Sequence, residues 1–282
     1  MPASPRRTAF ERKLGPDLLG TVPAAPGVYR WLDADGAVVY VGKAKDLRRR
    51  LAQYKNAGRA RRDRKMRRVV HAAASLAWEV CESELAASLE EVRLIQALRP
   101  PLNVASAYAF LYPFIGVRVR AEHVRFCFTT RPDAFDDGGY TLHGAYRSRE
   151  VAGAGFFALM RLLRHVGHAE PRRRLADDDG EDYSYVLGFR RLPPGFAERW
   201  AAFFRGESDA PLGDLACALL DRPAARADAA AVEQDLRALR AFYDDEARPL
   251  AEARLVTAFS RWPVAQTERD PLFLRYRAAA RA

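Results

Sequence analysis

Gly27-Val28-Tyr29-Arg30-Trp31-Leu32-Asp33 and, four residues on, Ala37-Val38-Val39-Tyr40-Val41-Gly42 form the stretch on which the fold turns. Both runs are rich in β-branched and aromatic residues, and Asp33-Ala34-Asp35-Gly36 between them is made of turn residues, so the pair reads as a β-hairpin. Pro23 and Pro26 stop any helix ahead of it, leaving residues 1–22 as a loose arm or short helix. With the turn centred on Ala34 and Asp35, Tyr29 and Tyr40 stand opposite each other, and cross-strand partners project on one face. Two phenol oxygens would then emerge side by side, next to Gly27 and Gly42, whose missing side chains leave room for a ligand. Taken alone, this is an ordinary aromatic cross-strand pair.

Asp46 can cap a helix running to about Tyr54, with Leu47, Leu51 and Tyr54 as its apolar stripe. Arg50 is three residues from Leu47 and four from Tyr54, so it lies towards that stripe, whereas Arg48 and Arg49 point elsewhere and suit backbone phosphates. A second basic helix spans about Ala60 to Ala74, a third strand Leu76 to Cys81, and a helix Glu84 to Leu98 that ends before Pro100-Pro101. Glu91 falls on a helical line with Ala87, Leu94 and Leu98. A buried carboxylate needs a cation or hydrogen bonds, and a bound divalent metal would meet that need. Periodicity alone serves equally well for a surface residue like neighbouring Glu90.

Charge singles out the same region. Between Lys43 and Arg68 there are thirteen Lys or Arg (Lys43, Lys45, Arg48, Arg49, Arg50, Lys55, Arg59, Arg61, Arg62, Arg64, Lys65, Arg67, Arg68) against Asp46 and Asp63, so that segment carries +11 of a total of +10 and the rest is close to neutral. Charge concentrated in this way is the footprint of a polyanion site, and nucleic acid is favoured over a merely solvated basic helix. No strongly apolar face accompanies it, which argues against a membrane surface. Cys81, Cys127 and Cys217 lie far apart and the five histidines are scattered, apart from His165 and His168, so a zinc or iron–sulfur site and a disulfide framework lack support. The N-terminus lacks the apolar stretch of a secretory signal and no run of about 18 apolar residues suggests a membrane span, so the expected location is cytoplasmic.

Beyond Asn103 the texture changes. Tyr112 to Val119 and His123 to Thr130 read as strands, Pro132 to Gly139 as a turn-rich loop, Val151 to Val166 as a helix, Asp177 to Asp182 as an acidic loop and Tyr183 to Phe189 as another strand. The remainder is largely helical, notably Phe196 to Phe204 and an Ala-rich segment from about Ala227 to Phe242. The expected fold class is α+β: a small sheet flanked by helices in residues 23–105, after the arm 1–22, followed by a mixed, mostly helical region 106–282.

These parts resemble a known family. Gly27-Val28-Tyr29 and Tyr40-Val41-Gly42 look like the half-motifs of GIY-YIG nucleases, with Val in place of Ile in both. V-Y-V-G-K-A-K-D-L-R-R-R-L (39–51) and E-x-E-x(6)-E…R-P-P-L-N (82–103) are similar to the N-terminal catalytic domain of UvrC, a bacterial excinuclease subunit. The resemblance places Glu91 on the family's metal-binding position, Asn103 on its active-site Asn, and Lys43 and Arg50 on its basic positions. Tyr112-Pro113-Phe114-Ile115 and Gly144-Ala145-Tyr146-Arg147-Ser148 echo the region that follows. The charged residues expected before Tyr112 are replaced by Ala107-Tyr108-Ala109-Phe110, and the family's cysteine cluster is missing. Ala227 to Phe242 is faintly similar to the UvrB-contacting segment, without its characteristic residues. The chain ends before a second nuclease domain and helix-hairpin-helix domains could begin, so in length it is closer to short Cho-type homologues.

The resemblance implies metal-dependent hydrolysis of a DNA phosphodiester bond. With a single carboxylate in the constellation, one Mg²⁺ or Mn²⁺ held by Glu91 and waters suits it better than two metals. Arg50 would brace the phosphate as a fork and Lys43 assist as a point charge or by orienting a tyrosine. Tyr40, or Tyr29 beside it, would take a proton from water, provided neighbouring cations lower a phenol from about pKa 10. Asn103 would position a loop or ligand. Duplex DNA and a UvrB-like repair protein are the partners implied. Two rivals remain: a non-catalytic DNA-binding repair-accessory module, and a mobile-element or restriction endonuclease of the same superfamily.

Overall fold

The computed structural model describes residues 7–58, 60–103, 111–135, 138–171, 175 and 184–281. The chain divides into two compact units, Met1–Phe110 with Ala280–Ala282, and Leu111–Ala279. The fold is mixed α and β, with antiparallel sheets flanked by helices.

In the first unit, β1 (Gly27–Leu32), β2 (Val38–Ala44) and β3 (Ser75–Val80) form a sheet of order β2-β1-β3. The hairpin forms, but in a different register from the one expected: Trp31 faces Tyr40, and Tyr29 faces Gly42. The Asp33 carboxylate accepts from the N–H groups of Asp35 and Ala37 at 3.0 and 2.9 Å, and Gly36 adopts φ 81°, so the turn closes on Ala37. An irregularity at Trp31/Leu32 follows. A slip of two residues returns every side chain to its own face, so Tyr29, Trp31, Tyr40 and Gly42 still share one side.

That side packs against α1 (Ala9–Leu14), α2 (Leu18–Thr21), α3 (Leu47–Lys55) and α4 (Arg64–Ala72), with Phe10, Val22, Leu47, Leu51, Tyr54 and Val69 in the core. Of the two readings of the N-terminal segment, the described residues from Thr8 to Val22 take the helical one and pack on the sheet. Thr8 and Glu11 form a capping box, Phe10 lies edge-on to Trp31 at 6.0 Å, and Arg48 Nε donates to the Val22 carbonyl at 2.7 Å. Burying a Phe stabilises by roughly 2 kcal/mol, which is enough to hold a six-residue helix too short to persist alone. Asp46 caps α3 by accepting from Arg49 N–H at 2.9 Å. The opposite side of the sheet packs Val28 and Val41 on Ala87, Leu94 and Ile95 of α5 (Glu84–Leu98). Leu98, expected in this seam, is exposed, because Ile95 takes the next place against the sheet. Arg99 ends α5 in a left-handed conformation, φ 43°, just before the two prolines.

The second unit holds a five-stranded sheet of order β6-β4-β5-β8-β7, made of β4 (Phe114–Arg120), β5 (His123–Thr129), β6 (Thr141–His143), β7 (His168–Ala169) and β8 (Tyr185–Arg190). The helices are α6 (Arg149–Val166), α7 (Phe196–Phe204), α8 (Ala210–Leu220), α9 (Pro223–Ala227), α10 (Ala229–Phe242), a π-helical turn Tyr243–Ala247, α11 (Arg248–Val256) and α12 (Gln266–Ala279). One sheet face, with Val117, Phe126, Phe128 and Phe189, packs on Phe156, Leu159, Leu163, Trp200 and Phe203. β6 and β7 were not expected; at three and two residues they show no alternation. The acidic loop Asp177 to Asp182 and the altered segment Ala107 to Phe110 lie outside the described residues. No helix among the described residues is long and apolar enough to cross a membrane.

Candidate active site

β2 is an edge strand, and an edge leaves its outward N–H and C=O groups without ladder partners. Here the chain's own groups take them. Leu102 N–H donates to the Val39 carbonyl at 3.0 Å. The Asn103 amide behaves like a strand backbone: Oδ1 accepts from Val41 N–H at 2.8 Å and Nδ2 donates to the Val41 carbonyl at 2.9 Å. Asn103 is buried, so both bonds replace water that is not available to Val41.

The next outward group, Lys43 N–H, donates to Glu91 Oε1 at 3.2 Å. The Lys43 ammonium lies 3.5 Å from Glu91 Oε2 and donates to Ser88 Oγ at 2.8 Å, and Ser88 in turn donates to the Glu84 carbonyl at 2.8 Å. Glu91 and Ser88 are one turn apart on α5, so the helix presents both to Lys43. The Glu91 side chain is 21% exposed. Burial pushes its carboxyl above the usual carboxylate range, against the opposing pull of Lys43. This carboxylate is desolvated further than its partners repay.

Around the rim of β2 lie three phenols. Tyr29, Tyr40 and Tyr54 are all buried. Tyr29 and Tyr40 ring centroids are 6.4 Å apart, Tyr29 and Tyr54 5.8 Å. The Tyr29 hydroxyl receives Arg50 Nε–H at 3.1 Å and is hydrogen-bonded to the Tyr54 hydroxyl at 3.2 Å. The room at Gly42, expected to admit a ligand, is filled by the Tyr29 phenol: a Cβ there would come within 2.5 Å of its oxygen. At Gly27 a Cβ would meet the Glu79 carbonyl and Leu47. Both glycines serve the packing of the chain itself. Burial raises Tyr40 above its ordinary value, Tyr29 and Glu91 add to this, and Lys65 only partly offsets it. The expectation of a phenol lowered by neighbouring cations therefore fails for Tyr40, because desolvation outweighs the cations near it. Burial likewise holds Tyr54 far above the phenol range.

Lys43, Lys45, Asp46, Arg49, Arg50 and Gln53 line an open cleft of about 330 Å³. Arg50 connects it to the phenols, since its Nε touches Tyr29 while another arm donates to Gln53 at 2.7 Å. The remaining basic residues divide. Lys45 pairs with Glu84 at 3.0 Å, Lys55 with Glu11 at 2.8 Å, and Arg48 holds Val22. Arg61, Arg64, Arg67 and Arg68 are exposed with no acidic partner among the described residues. Lys65 lies 5.0 Å over the Tyr40 ring and its charge reaches Glu91 as well, so it belongs to the site rather than to the outer face of the basic segment. Arg59 and the Arg62 side chain lie outside the described residues.

The structure thus gathers Tyr29, Tyr40, Lys43, Arg50, Glu91 and Asn103 around one strand edge. Sequence reasoning missed Ser88, Tyr54 and the position of Lys65. Tyr54 was assigned to packing because it continues the Leu47–Leu51 stripe. A polar Ser88 beside Ala87, one turn before Glu91, was the signal available for the Lys43 contact.

Residues 25–104 match the family model of the UvrC-like GIY-YIG domain. The UvrABC system protein C of Paenarthrobacter aurescens is 41% identical over 106 residues, 38% of this chain and 16% of that protein. The same protein of Porphyromonas gingivalis is 35% identical over 149 residues, 53% of this chain and 23% of that protein. This chain thus matches less than a quarter of the length of these curated relatives. A crystal structure of the GIY-YIG N-terminal endonuclease domain of UvrC from Thermotoga maritima, bound to magnesium, is 31% identical and covers 35% of this chain and 99% of that one, with a TM-score of 0.29. The GIY-YIG and UvrC-like resemblance read from the hairpin, Glu91 and Asn103 agrees with the family model and the curated relatives.

Proposed function

We propose that this UvrC-like GIY-YIG domain makes the chain a DNA endonuclease, one that nicks duplex DNA by hydrolysing a phosphodiester bond with a single Mg²⁺ or Mn²⁺ at Glu91. The observation that carries the reading is the Glu91 carboxylate itself, desolvated at a strand edge and flanked by phenols and a cationic cleft. Glu91 fits such an ion. Its burial is relieved by positive charge, and a hard cation that keeps most of its waters needs only one carboxylate. No group of three or more His, Cys, Asp or Glu able to hold a metal occurs among the described residues. When bound, the ion supplies charge against the phosphate and the departing oxygen.

The chain's own residues do the rest. Lys43 and Arg50 line the cleft, and Arg50 meets phosphate oxygens as a fork while its Nε stays on Tyr29. Tyr29 is the phenol best suited to take the proton from the attacking water, because Arg50 donates to its oxygen and Tyr54, held protonated by burial, can donate as well. Arg50 is the link between this buried hydroxyl and the open cleft. For this step Tyr29 acts as the phenolate, having first released its own proton to solvent; it takes the water's proton as the water oxygen bonds to phosphorus, the P–O bond to the leaving oxygen breaks, and that oxygen takes up a proton from solvent. Tyr40, which keeps its proton, serves as a hydrogen-bond donor. Asn103 keeps the Leu102–Asn103 segment on β2 and so holds the strand edge on which Lys43 and Glu91 meet. The relatives are components of a UvrABC system, so a cytoplasmic, UvrC- or Cho-like repair role with a UvrB-like partner completes the proposal.

The test is nicking of supercoiled plasmid with and without Mg²⁺, by the native chain and by Glu91→Gln. The native chain should nick only with the ion, and the variant should bind DNA but cut at least about 10³-fold more slowly. Nicking at the native rate by Glu91→Gln would overturn the assignment.

A further inference from the structure

Ser88 lies one turn before Glu91 on α5 and is 6% exposed. Its hydroxyl carries a single proton, which it donates back to the Glu84 carbonyl at 2.8 Å. The hydroxyl therefore faces Lys43 with lone pairs alone, and the Lys43 ammonium donates to it at 2.8 Å. The same ammonium stays 3.5 Å from Glu91 Oε2. An unrestrained ammonium closes on a carboxylate to about 2.8 Å, because a charged acceptor attracts it more strongly than a neutral one. Lys43 is thus drawn towards the weaker acceptor and kept off the stronger.

The other lysines near this helix are also held by partners of their own. Lys65 reaches Glu91 by its charge but lies 5.0 Å over the Tyr40 ring, and Lys45 pairs with Glu84 at 3.0 Å. Glu91 receives the Lys43 backbone N–H on Oε1 at 3.2 Å, while the Lys43 ammonium comes no nearer to Oε2 than its salt-bridge distance. A half-buried carboxylate is left short of a contact cation, although Lys43 and Lys65 stand beside it.

We propose that Ser88 is a positioning residue: it holds the Lys43 ammonium aside and so keeps Glu91 open to a divalent cation. This rests on Glu91 being the ligand of that ion, as proposed above. An ammonium in contact with Oε2 would occupy lone pairs that the ion needs and would repel its charge. The chemistry of the holder is specific. A carboxylate in place of Ser88 would draw Lys43 harder but would itself attract the ion, and an apolar side chain would leave Glu91 as the nearest acceptor. A hydroxyl whose proton is already committed supplies an acceptor without adding charge. The bond back to Glu84 alone is an ordinary helix feature. It does not account for an ammonium seated on that hydroxyl beside a stronger acceptor.

The test is Mn²⁺ binding by the full chain without DNA, read from the electron paramagnetic resonance signal of the free ion, so that cutting plays no part. The native chain should bind the ion and Glu91→Gln should not. Ser88→Ala, which suits a helix at least as well as serine, should raise the dissociation constant about tenfold, the weight of one hydrogen bond to a charged group. In a Lys43→Met background, Ser88→Ala should change the constant less than about twofold, since the ammonium it would release is gone. A native or tighter constant in Ser88→Ala overturns the proposal. So does a rise that persists without Lys43, because Ser88 would then act through the helix. No binding by the native chain, or binding that Glu91→Gln retains, is a separate result: it overturns the ion at Glu91 and, with it, the role given to Ser88.

Discussion

Two glutamates withdrawn from water, Glu246 in the second unit and the half-buried Glu91 in the first, are used differently. Glu246, in the π-helical turn of the second unit, accepts from the backbone N–H groups of Arg147 and Ser148, the latter at 2.9 Å. Those groups lie at the positive end of the 18-residue helix α6, where a carboxylate is favoured. Glu91 in the first unit receives one backbone N–H and stands beside one ammonium, on a strand edge that carries no such dipole. Burial raises both above the ordinary carboxylate value. The contrast teaches that burial alone does not distinguish one acid from another; what sets Glu91 apart is its place beside Lys43, which lines an open cationic cleft, with one backbone donor where Glu246 has two.

The largest effect that can break this contrast is on cutting. Glu246→Ala should leave nicking per folded molecule unchanged while lowering stability by about 1–3 kcal/mol, because two buried N–H groups lose their acceptor. Glu91→Gln should do the opposite: nicking falls about 10³-fold, the melting temperature holds or rises, and Mg²⁺ no longer raises it. If both variants lose only stability, the distinction is void. Among the phenols, Tyr29→Phe should slow single-turnover nicking about 10²-fold or more and Tyr40→Phe less than about tenfold. Equal losses would show that the donors aimed at Tyr29 do not set its role. Asn103→Ala should destabilise the first unit by roughly 1–3 kcal/mol, read by chemical denaturation, since Val41 N–H and C=O are both left buried.

The smallest effect is on pH. Glu91's folded value is raised, so its contribution to stability is fully present below the unfolded carboxylate value and is lost as pH rises through the folded one. Metal-free native protein should therefore lose stability relative to Glu91→Gln as pH climbs past about 4.5, and Mg²⁺ should close the gap. Parallel stability curves would mean that Glu91 is not desolvated as described.

Much of the fold was legible because period and turn chemistry agree locally: the hairpin, the Asp46 cap, and α5 stopping at the prolines. The hairpin register was not, since Asp33's side-chain bonds to Asp35 and Ala37 set the turn length, and a sequence does not show which of several turns a carboxylate will brace. The face of Tyr29 and Tyr40 survived only because the slip was even. In the site, Glu91 and Asn103 could be placed by resemblance, but the reason for Asn103 could not: it depends on β2 being an edge, which is a property of strand order. The partners of Lys65 and Ser88 were illegible in the same way, lying 25 and 45 residues away, even though Ser88 itself stood out beside Ala87. For Tyr40 the expected lowering does not hold, because burial, which sequence reads poorly for a tyrosine, outweighs the nearby cations.

The Asn103 amide seated on Val41 also decides where the first unit can be trimmed. A fragment stopping at Arg99 would strip β2 of Leu102 and Asn103 and expose a bare template for strand addition between molecules, so it should aggregate. A fragment carried through Asn103 keeps that template occupied and should stay dispersed.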